Sequence, residues 1–324
     1  RNENTPRRCA TLAGHNKGTL KDIAQKESAG TVWAAAEYLD RVLGVRWLWP
    51  GEFGTVVPRR STIVAPALDI RTRPALERRW LRAGGRGSSP DLTRWLRRFQ
   101  MGERSPHNFR HAFTQWWEKY GATHPEYFAV PPPGSDKKQP YPKPDRIKLN
   151  LGNPAVTEAI IKEWKDAGMP DNWNVTPNDS AGFCTSPESM ALDLPDVYKP
   201  EDVWVGSVSL TRRYVRFWNQ LITKMRAIKP GVTISTYAYQ CYRDMPPDLK
   251  LEPGIAVGMI HGYTSDDRWK AWRAAGALMF LRPNWWHVGG SAPHLPLRYA
   301  GNHFKMAADN GMVGFDFDSI TGFW

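Results

Sequence analysis

Three aspartates stand at the ends of apolar, strand-like runs in this sequence. Asp179 ends the run at residues 173–179, while Asp316 and Asp318 end the run at residues 312–318. Asp316 and Asp318 are two residues apart, so on a strand both side chains would point to the same face. Cleavage of a glycosidic bond needs one carboxyl group as acid and a second as base or nucleophile. We therefore predict Asp179 as the general acid and Asp316 or Asp318 as the base or nucleophile; helix capping and pairing with arginine are the structural alternatives.

A second group of polar residues lies between residues 102 and 128, in a stretch with few signs of regular structure. Glu126 is a further candidate for a catalytic carboxylate, and His107 and His124 are candidates for binding substrate hydroxyl groups. A single histidine in a loop is more often a hydrogen-bonded structural residue. The spacing of these side chains matches no zinc motif, so no metal site is predicted.

Aromatic residues follow several of the other strand-like runs. The faces of aromatic rings stack on the apolar C–H faces of sugars, although core packing is the alternative for each ring. The remaining candidates for substrate binding are Asn178, Tyr237, Tyr239, His261, Trp285 and Trp286. Arg82 and Arg104 are candidates for holding a carboxylate or sulfate group, because a guanidinium matches the geometry of these anions.

The elements that would position these residues alternate between helical and strand-like patterns. Helical spacing occurs at 31–43, 91–99, 154–168, 208–228 and 296–309, and further short apolar runs occur at 79–83, 147–150, 232–237, 255–260 and 278–281. Strands that alternate with helices favour a parallel sheet. Active sites of (β/α) barrels lie at the C-terminal ends of the strands. We therefore predict an α/β fold with a (β/α)8 TIM-type barrel, which needs one irregular strand between residues 100 and 130.

The chain divides into three parts by composition and pattern. Residues 1–60 resemble the end of a small α/β domain, 61–76 a linker, and 77–324 the barrel. The sequence begins without Met or an apolar signal segment and stops just after a strand-like run. We therefore expect it to be a fragment whose barrel is truncated at the C-terminus.

Several classes of function are disfavoured by composition and missing motifs. The net charge of +12 is spread over short pairs of basic residues rather than a block, which argues against nucleic acid and leaves anionic glycans as candidates. No apolar run is long enough to predict a membrane span. No phosphate-binding loop or dinucleotide fingerprint is present, and no cofactor is predicted. Three cysteines permit at most one disulfide within the chain.

Four motifs resemble a bacterial family known as domain-of-unknown-function family 4838. They are GVRWLWPGEFG at 44–54 with VVP at 56–58, HPEYF at 124–128, PND at 177–179 with GFC at 182–184, and TYAY at 236–239. The resemblance runs from about residue 28 to the end of the chain. It departs from the family after Cys184, where residues 185–189 carry none of the further cysteines that are usual there, so no role of those cysteines is transferred.

The resemblance implies a glycoside-hydrolase-like barrel that follows an N-terminal domain similar to that of α-glucuronidases. It also implies a periplasmic or extracellular bacterial location. Together with the carboxylates, it leads us to expect a glycoside hydrolase that acts on a polysaccharide or oligosaccharide, with uronic-acid and sulfated glycans as the anionic candidates. The alternative is a glycan-binding protein without catalysis on the same scaffold. The sequence indicates no oligomeric state.

Overall fold

A computed structural model of the chain describes residues 30–84, 90–103, 106–260, 266–284 and 297–321. These residues fall into two compact units. The first takes in the described residues up to 103 together with 317–321, and the second takes in the described residues between 106 and 316. The predicted α/β class is confirmed, because helices and strands alternate along the described chain.

The first unit is small and combines helices with two antiparallel pairs of strands. Its elements are α1 (Gly30–Arg41), β1 (Arg46–Trp47), β2 (Thr55–Val56), β3 (Arg78–Gly84), α2 (Pro90–Arg98) and β4 (Gly102–Glu103). Strand β1 pairs with β2, and β3 pairs with β4. Its core contains Ala36, Val45 and Trp47, and the indole of Trp95 donates a hydrogen bond to the Trp47 carbonyl at 2.9 Å.

The second unit is built around five parallel strands in the order β9-β8-β7-β6-β5. The strands are β5 (Asn172–Asn174), β6 (Thr233–Ala238), β7 (Ile255–Met259), β8 (Leu278–Leu281) and β9 (Met312–Thr321). Strand β7 is buried along its whole length, and β6 and β8 nearly so, which accounts for their continuous apolar runs in the sequence. The sheet is curled, and the strands that the structure describes form a half-barrel.

Seven helices accompany this sheet in the part of the chain that the structure describes. They are α3 (Trp116–Tyr120), α4 (Pro154–Asp166), α5 (Pro187–Ala191), α6 (Pro200–Val205), α7 (Thr211–Ile228), α8 (Asp267–Ala274) and α9 (Leu297–Asp309). Helix α7 buries one face, including Trp218, Leu221 and Met225, as its apolar spacing predicts. Helix α4 begins with Asn153 as N-cap, whose side chain accepts from the Ala155 N–H.

Two predicted strands differ from the observed structure. Residues 147–150 form no strand, and only Leu149 makes an isolated bridge, to Phe128. Strand β5 ends at Asn174 instead of continuing to residue 179. Asn174 accepts hydrogen bonds from Thr176, and Pro177 lacks the N–H that a strand ladder requires, so regular pairing stops there.

Candidate functional site

The C-terminal ends of two neighbouring parallel strands bring Asp179 and Gln240 together. Asp179 follows β5 and Gln240 follows β6, and the Gln240 amide donates to Asp179 Oδ1 at 2.7 Å. Gln240 has a positive φ of 48°, which is uncommon for a residue other than glycine and is often found at functional sites. The side chain of Asp179 is 36% exposed, so solvent or a ligand can reach it.

Arg146 is a second hydrogen-bond partner of Asp179. Its Nη1 donates to the Asp179 carbonyl at 2.9 Å and to Asp179 Oδ2 at 3.2 Å. Both carboxylate oxygens therefore accept hydrogen bonds, one from an amide and one from a guanidinium. Neither an amide N–H nor a guanidinium can accept in return, so this arrangement suits the ionised carboxylate.

Residues 146–148 are fastened to the segment after β5 by several further hydrogen bonds. The Ser180 hydroxyl donates to the Arg146 carbonyl, and the Lys148 ammonium donates to the Asn178 carbonyl. The Asn178 side chain donates to the Ile147 carbonyl at 3.0 Å. Residues 147 and 148, which belong to the segment predicted as a strand, therefore hold the loop that carries Asp179 through hydrogen bonds.

Asn178 is 1% exposed, and its side chain is engaged within the protein. Besides its bond to Ile147, its Oδ1 accepts from the Phe113 N–H at 3.1 Å. These contacts position the loop before Asp179. The predicted contact between Asn178 and a substrate hydroxyl stays a prediction.

Lys148 is almost completely enclosed, with 2% of its surface exposed. Its ammonium lies over the Phe183 ring, 4.5 Å from the ring centroid. Burial lowers the pKa of Lys148 to about 7, because an ammonium is poorly solvated there; Cys241 and Asp179 act in the opposite direction, and Arg146 adds to the lowering.

A neutral histidine completes this group of side chains. His111 Nδ1 lies 2.8 Å from the Pro177 carbonyl, and since a carbonyl can only accept, the proton is assigned to Nδ1. Burial lowers the pKa of His111; the Pro177 bond and Asp179 oppose that shift, while Lys148 and Arg146 reinforce it. The site thus combines a carboxylate, two basic side chains and an imidazole that is predominantly neutral at pH 7.

An open cavity of about 530 Å³ lies beside the loop that carries Asp179, although Asp179 itself is not one of its lining residues. Ser180, its chain neighbour, and Gln240, its hydrogen-bond partner, both line it. Its other lining residues include Phe183, Gly206, Ser207, Ser209, Cys241, Arg243 and Asp244. Its size falls in the range of small-molecule sites, and its hydroxyl, amide and charged groups surround a single aromatic ring.

Gly206 and Phe183 lie side by side in the lining of the cavity, and their close contact requires glycine at position 206. It ends helix α6 with a φ of 72°, and a Cβ there would lie 2.8 Å from the Phe183 ring. A larger residue would therefore be strained in its backbone and would displace Phe183, which also contacts the Lys148 ammonium.

Asp316 lies on β9 and is completely buried. Phe315 packs against Phe304 of helix α9, with ring centroids 5.0 Å apart, so Phe315 faces the helix and Asp316 faces the opposite side of the sheet. The predicted catalytic role of Asp316 stays a prediction. The side chain of Asp318 lies outside the described residues.

Glu126 and His124 form a pair on the surface. Their side chains are 3.0 Å apart, and that of Glu126 is 53% exposed. A backbone hydrogen bond and the His124 contact lower the pKa of Glu126, which keeps it ionised near neutral pH. No hydrogen bond or ion pair among the described residues links this pair to Asp179, and their predicted roles stay predictions.

Tyr237 and His107 lie in the core beside the sheet. The Tyr237 ring stacks on Phe109 at 5.9 Å, and His107 contacts Phe280 at 5.0 Å. Tyr239 is partly buried against the same cluster. The Tyr237 ring also lies under the Arg282 guanidinium at 4.6 Å and edge-on to His111 at 6.4 Å, and the predicted binding roles of these residues stay predictions. His261, Trp285, Trp286, Arg104 and the side chain of Arg82 lie outside the described residues.

Four residues of the site were missed from the sequence: His111, Arg146, Lys148 and Gln240. Gln240 could have been found, because it follows a strand by the same rule that selected Tyr239. Arg146 and Lys148 alternate along a short apolar run, which is a weak signal on its own. The sequence around His111 carries no signal that would have indicated its place beside Pro177.

Other features bear on what this part of the chain can bind. Cys184 and Cys241 are free thiols, and burial raises the pKa of Cys241 to about 11. Three or more His, Cys, Asp or Glu side chains placed to hold a metal ion are not found in the described ranges. Within those ranges, no helix has both the length and the apolar composition needed to cross a membrane.

Comparison with known proteins identifies a family for this chain. The model of a protein family described as "Domain of unknown function (DUF4838)" matches residues 49–280. No curated protein and no solved structure matches the chain significantly.

Proposed function

Because the chain belongs to the DUF4838 family, whose description assigns no activity, we propose from the site itself that it is a glycoside hydrolase. The observation that carries the proposal is the position of Asp179. It lies at the C-terminal edge of a parallel sheet, is partly exposed, and is held by Arg146 and Gln240 beside a polar cavity of about 530 Å³. Catalytic groups of parallel α/β folds lie at this edge.

Asp179 is proposed to act as a base or nucleophile, in place of the general-acid role predicted from the sequence. Both oxygens of Asp179 accept hydrogen bonds, one from an amide and one from a guanidinium, and this arrangement suits the carboxylate form that a base or nucleophile uses. The acid role then passes to Asp316 or Asp318. This exchange keeps the two-carboxylate chemistry that glycosidic cleavage requires.

The substrate is proposed to be an oligosaccharide or polysaccharide, with anionic glycans favoured. Hydroxyl and amide groups in the cavity suit sugar hydroxyl groups, and Phe183 offers a ring face. Arg243 lines the same cavity, where it pairs with Asp244 at 3.4 Å, and Arg146 places a second guanidinium beside Asp179. A guanidinium suits a carboxylate or sulfate substituent.

Three features from the sequence analysis remain part of this proposal. They are closure of the curled sheet into a (β/α)8 barrel, an α-glucuronidase-like domain at the N-terminus, and a periplasmic or extracellular location. The curled parallel sheet and the family membership are compatible with each of them.

The test is a screen of neutral, uronic-acid and sulfated glycans with detection of new reducing ends. Asp179→Asn should lower turnover by about 10²-fold or more, since it removes the proposed base or nucleophile. Its affinity for the glycan should change little. Asp166→Asn is the matched control, because Asp166 is exposed on α4 and pairs with Lys162. Full turnover by Asp179→Asn would remove Asp179 from the mechanism.

A glycan-binding function without catalysis is the second candidate. It is favoured by the ion pair between Asp179 and Arg146, since such a pair can also be purely structural. In that case the wild-type protein would bind a glycan from the same panel without releasing reducing ends, and Asp179→Asn would bind it equally well.

A further inference from the structure

We infer that Lys148 is a positioning residue of this site, which holds the loop bearing Asp179 through the Asn178 carbonyl and does so most firmly when its side chain is an ammonium. The contact is direct, since Lys148 Nζ donates to the carbonyl of the residue that precedes Asp179. The consequence for turnover rests on the proposed function. The consequence for the loop does not.

The Lys148 side chain is held in place by the residues that enclose it. It is enclosed, its charge lies over the Phe183 ring, and Phe183 also lines the cavity beside Asp179. A hydrogen bond from a charged donor is about twice as strong as one from a neutral donor. Loss of the Lys148 proton therefore weakens its hydrogen bond to the Asn178 carbonyl and removes a positive charge from the vicinity of Asp179.

Several titratable or charged groups face Lys148 from the surrounding segments. Asp179 and Cys241 favour its charged form, while Arg146 and burial oppose it. His111 and Tyr214 also lie close to Lys148. A titration must therefore separate Lys148 from His111, Arg146, Asp179, Tyr214 and Cys241. Lys148 is distinguished because its pKa is lowered to about 7, whereas the pKa values of Tyr214 and Cys241 are raised and that of His111 is lowered from an already smaller value.

The experiment follows the backbone amide signals of residues 178–180 and 240 by NMR between pH 5.5 and pH 9, without any ligand. The wild-type protein should show a transition with a midpoint near 7. Lys148→Arg keeps the charge at every pH and Lys148→Met never carries it, so both should lose that transition. Lys224→Met is the control, because Lys224 pairs with Glu158 on the surface, and it should retain the transition.

A matching change is expected in turnover if a glycan is hydrolysed. Wild-type turnover should fall by up to about tenfold per pH unit above the transition, while Lys148→Arg should keep its turnover over the same range. If Lys148 only packed in the core, turnover would not fall above pH 7 in this way. Substitution by arginine would then have no fall in turnover to abolish.

Two results would overturn the inference: a wild-type protein without the transition, and a transition that persists in Lys148→Arg. If both lysine variants fail to fold, His111→Gln decides the matter. A transition retained in that variant supports Lys148 as its source, and a transition lost there assigns it to His111. If no glycan is hydrolysed while the amide signals behave as expected, the proposed hydrolase fails and the role of Lys148 stands.

Discussion

The hydrogen-bond partners of the Asp179 carboxylate lie far from it in the sequence. Arg146 donates to one of its carboxylate oxygens and Gln240 donates to the other. Asn178 and Lys148 fix the backbone just before it. The contacts of this one carboxylate are therefore set by its neighbour Asn178 together with Arg146, Lys148 and Gln240, which lie 30 or more positions away.

Asn178 provides a prediction at this scale. Asn178→Ala removes one acceptor for the Phe113 N–H and one donor for the Ile147 carbonyl, and both backbone groups lie in the buried interior. The free energy of unfolding should fall by about 1–3 kcal/mol for each group left without a partner. Chemical denaturation measures this, with the exposed Asn108→Ala as control. A loss below about 0.5 kcal/mol would show that the side chain does not fasten the loop.

At the scale of elements, the register of the parallel strands decides which residues meet. Ser235 of β6 pairs with Ala256 of β7, and Tyr237 pairs with Gly258, so these side chains share one face of the sheet. The same pairing of β5 with β6 brings the segments after the two strands side by side. The contact between Asp179 and Gln240 follows from this neighbourhood.

Gly258 gives a prediction for the sheet. A Cβ at this position would lie 2.9 Å from the Tyr237 ring and 3.1 Å from the Phe109 ring. Gly258→Ala should therefore destabilise the protein by about 1–3 kcal/mol through overpacking. The matched control is Gly301→Ala in helix α9, where an added Cβ meets nothing and the substitution should stabilise by about 0.5–1 kcal/mol. Thermal and denaturant unfolding of the two variants should shift in opposite directions; shifts in the same direction would contradict the packing of this face.

At the scale of the whole molecule, charge acts in two ways. The net charge of +12 favours association with anionic partners in general. Enclosed charges instead influence folding, and the buried pair of Arg213 and Asp193 shows that ionised groups do occur in the interior of the second unit. Lys148 is the enclosed group whose titration falls nearest to neutral pH among the shifts described above.

The stability of the protein should therefore depend on pH through Lys148. Its pKa is about 7 in the folded protein and 10.5 without the fold, so between these values the unfolded chain binds one more proton than the folded chain. Stability contributed by this group hence rises with pH in that window, by up to about 1.4 kcal/mol per pH unit, and the cost of burying the charge is fully present below pH 7.

Comparison of the wild-type protein with Lys148→Met measures this effect. The stability of the variant relative to the wild type should be greatest near pH 6 and should decline steadily towards pH 9.5. Lys224→Met, on the exposed surface, should show no comparable trend. A constant difference between Lys148→Met and the wild type across this range would show that Lys148 is not perturbed by folding.

Much of the local structure could be predicted from the sequence. The periodicity of residues 208–228 predicted helix α7, the Asn153–Pro154 pair predicted the start of α4, and β-branched runs predicted β6 and β7. These elements follow from which face of a segment must be buried, and that information is local. The same reasoning selected Asp179 and Asp316 as residues on or just after strands.

The tertiary structure alone decided which side chains surround Asp179. Residues 147–150 have the composition of a strand, yet their polar groups bond to the segment after β5 because that segment leaves its own polar groups without strand partners. His111, Arg146, Lys148 and Gln240 are up to 129 positions apart in the chain, and no local pattern encodes their meeting. Periodicity reports what a segment buries, whereas the partners of a carboxylate depend on which distant segments the folded sheet brings to its edge.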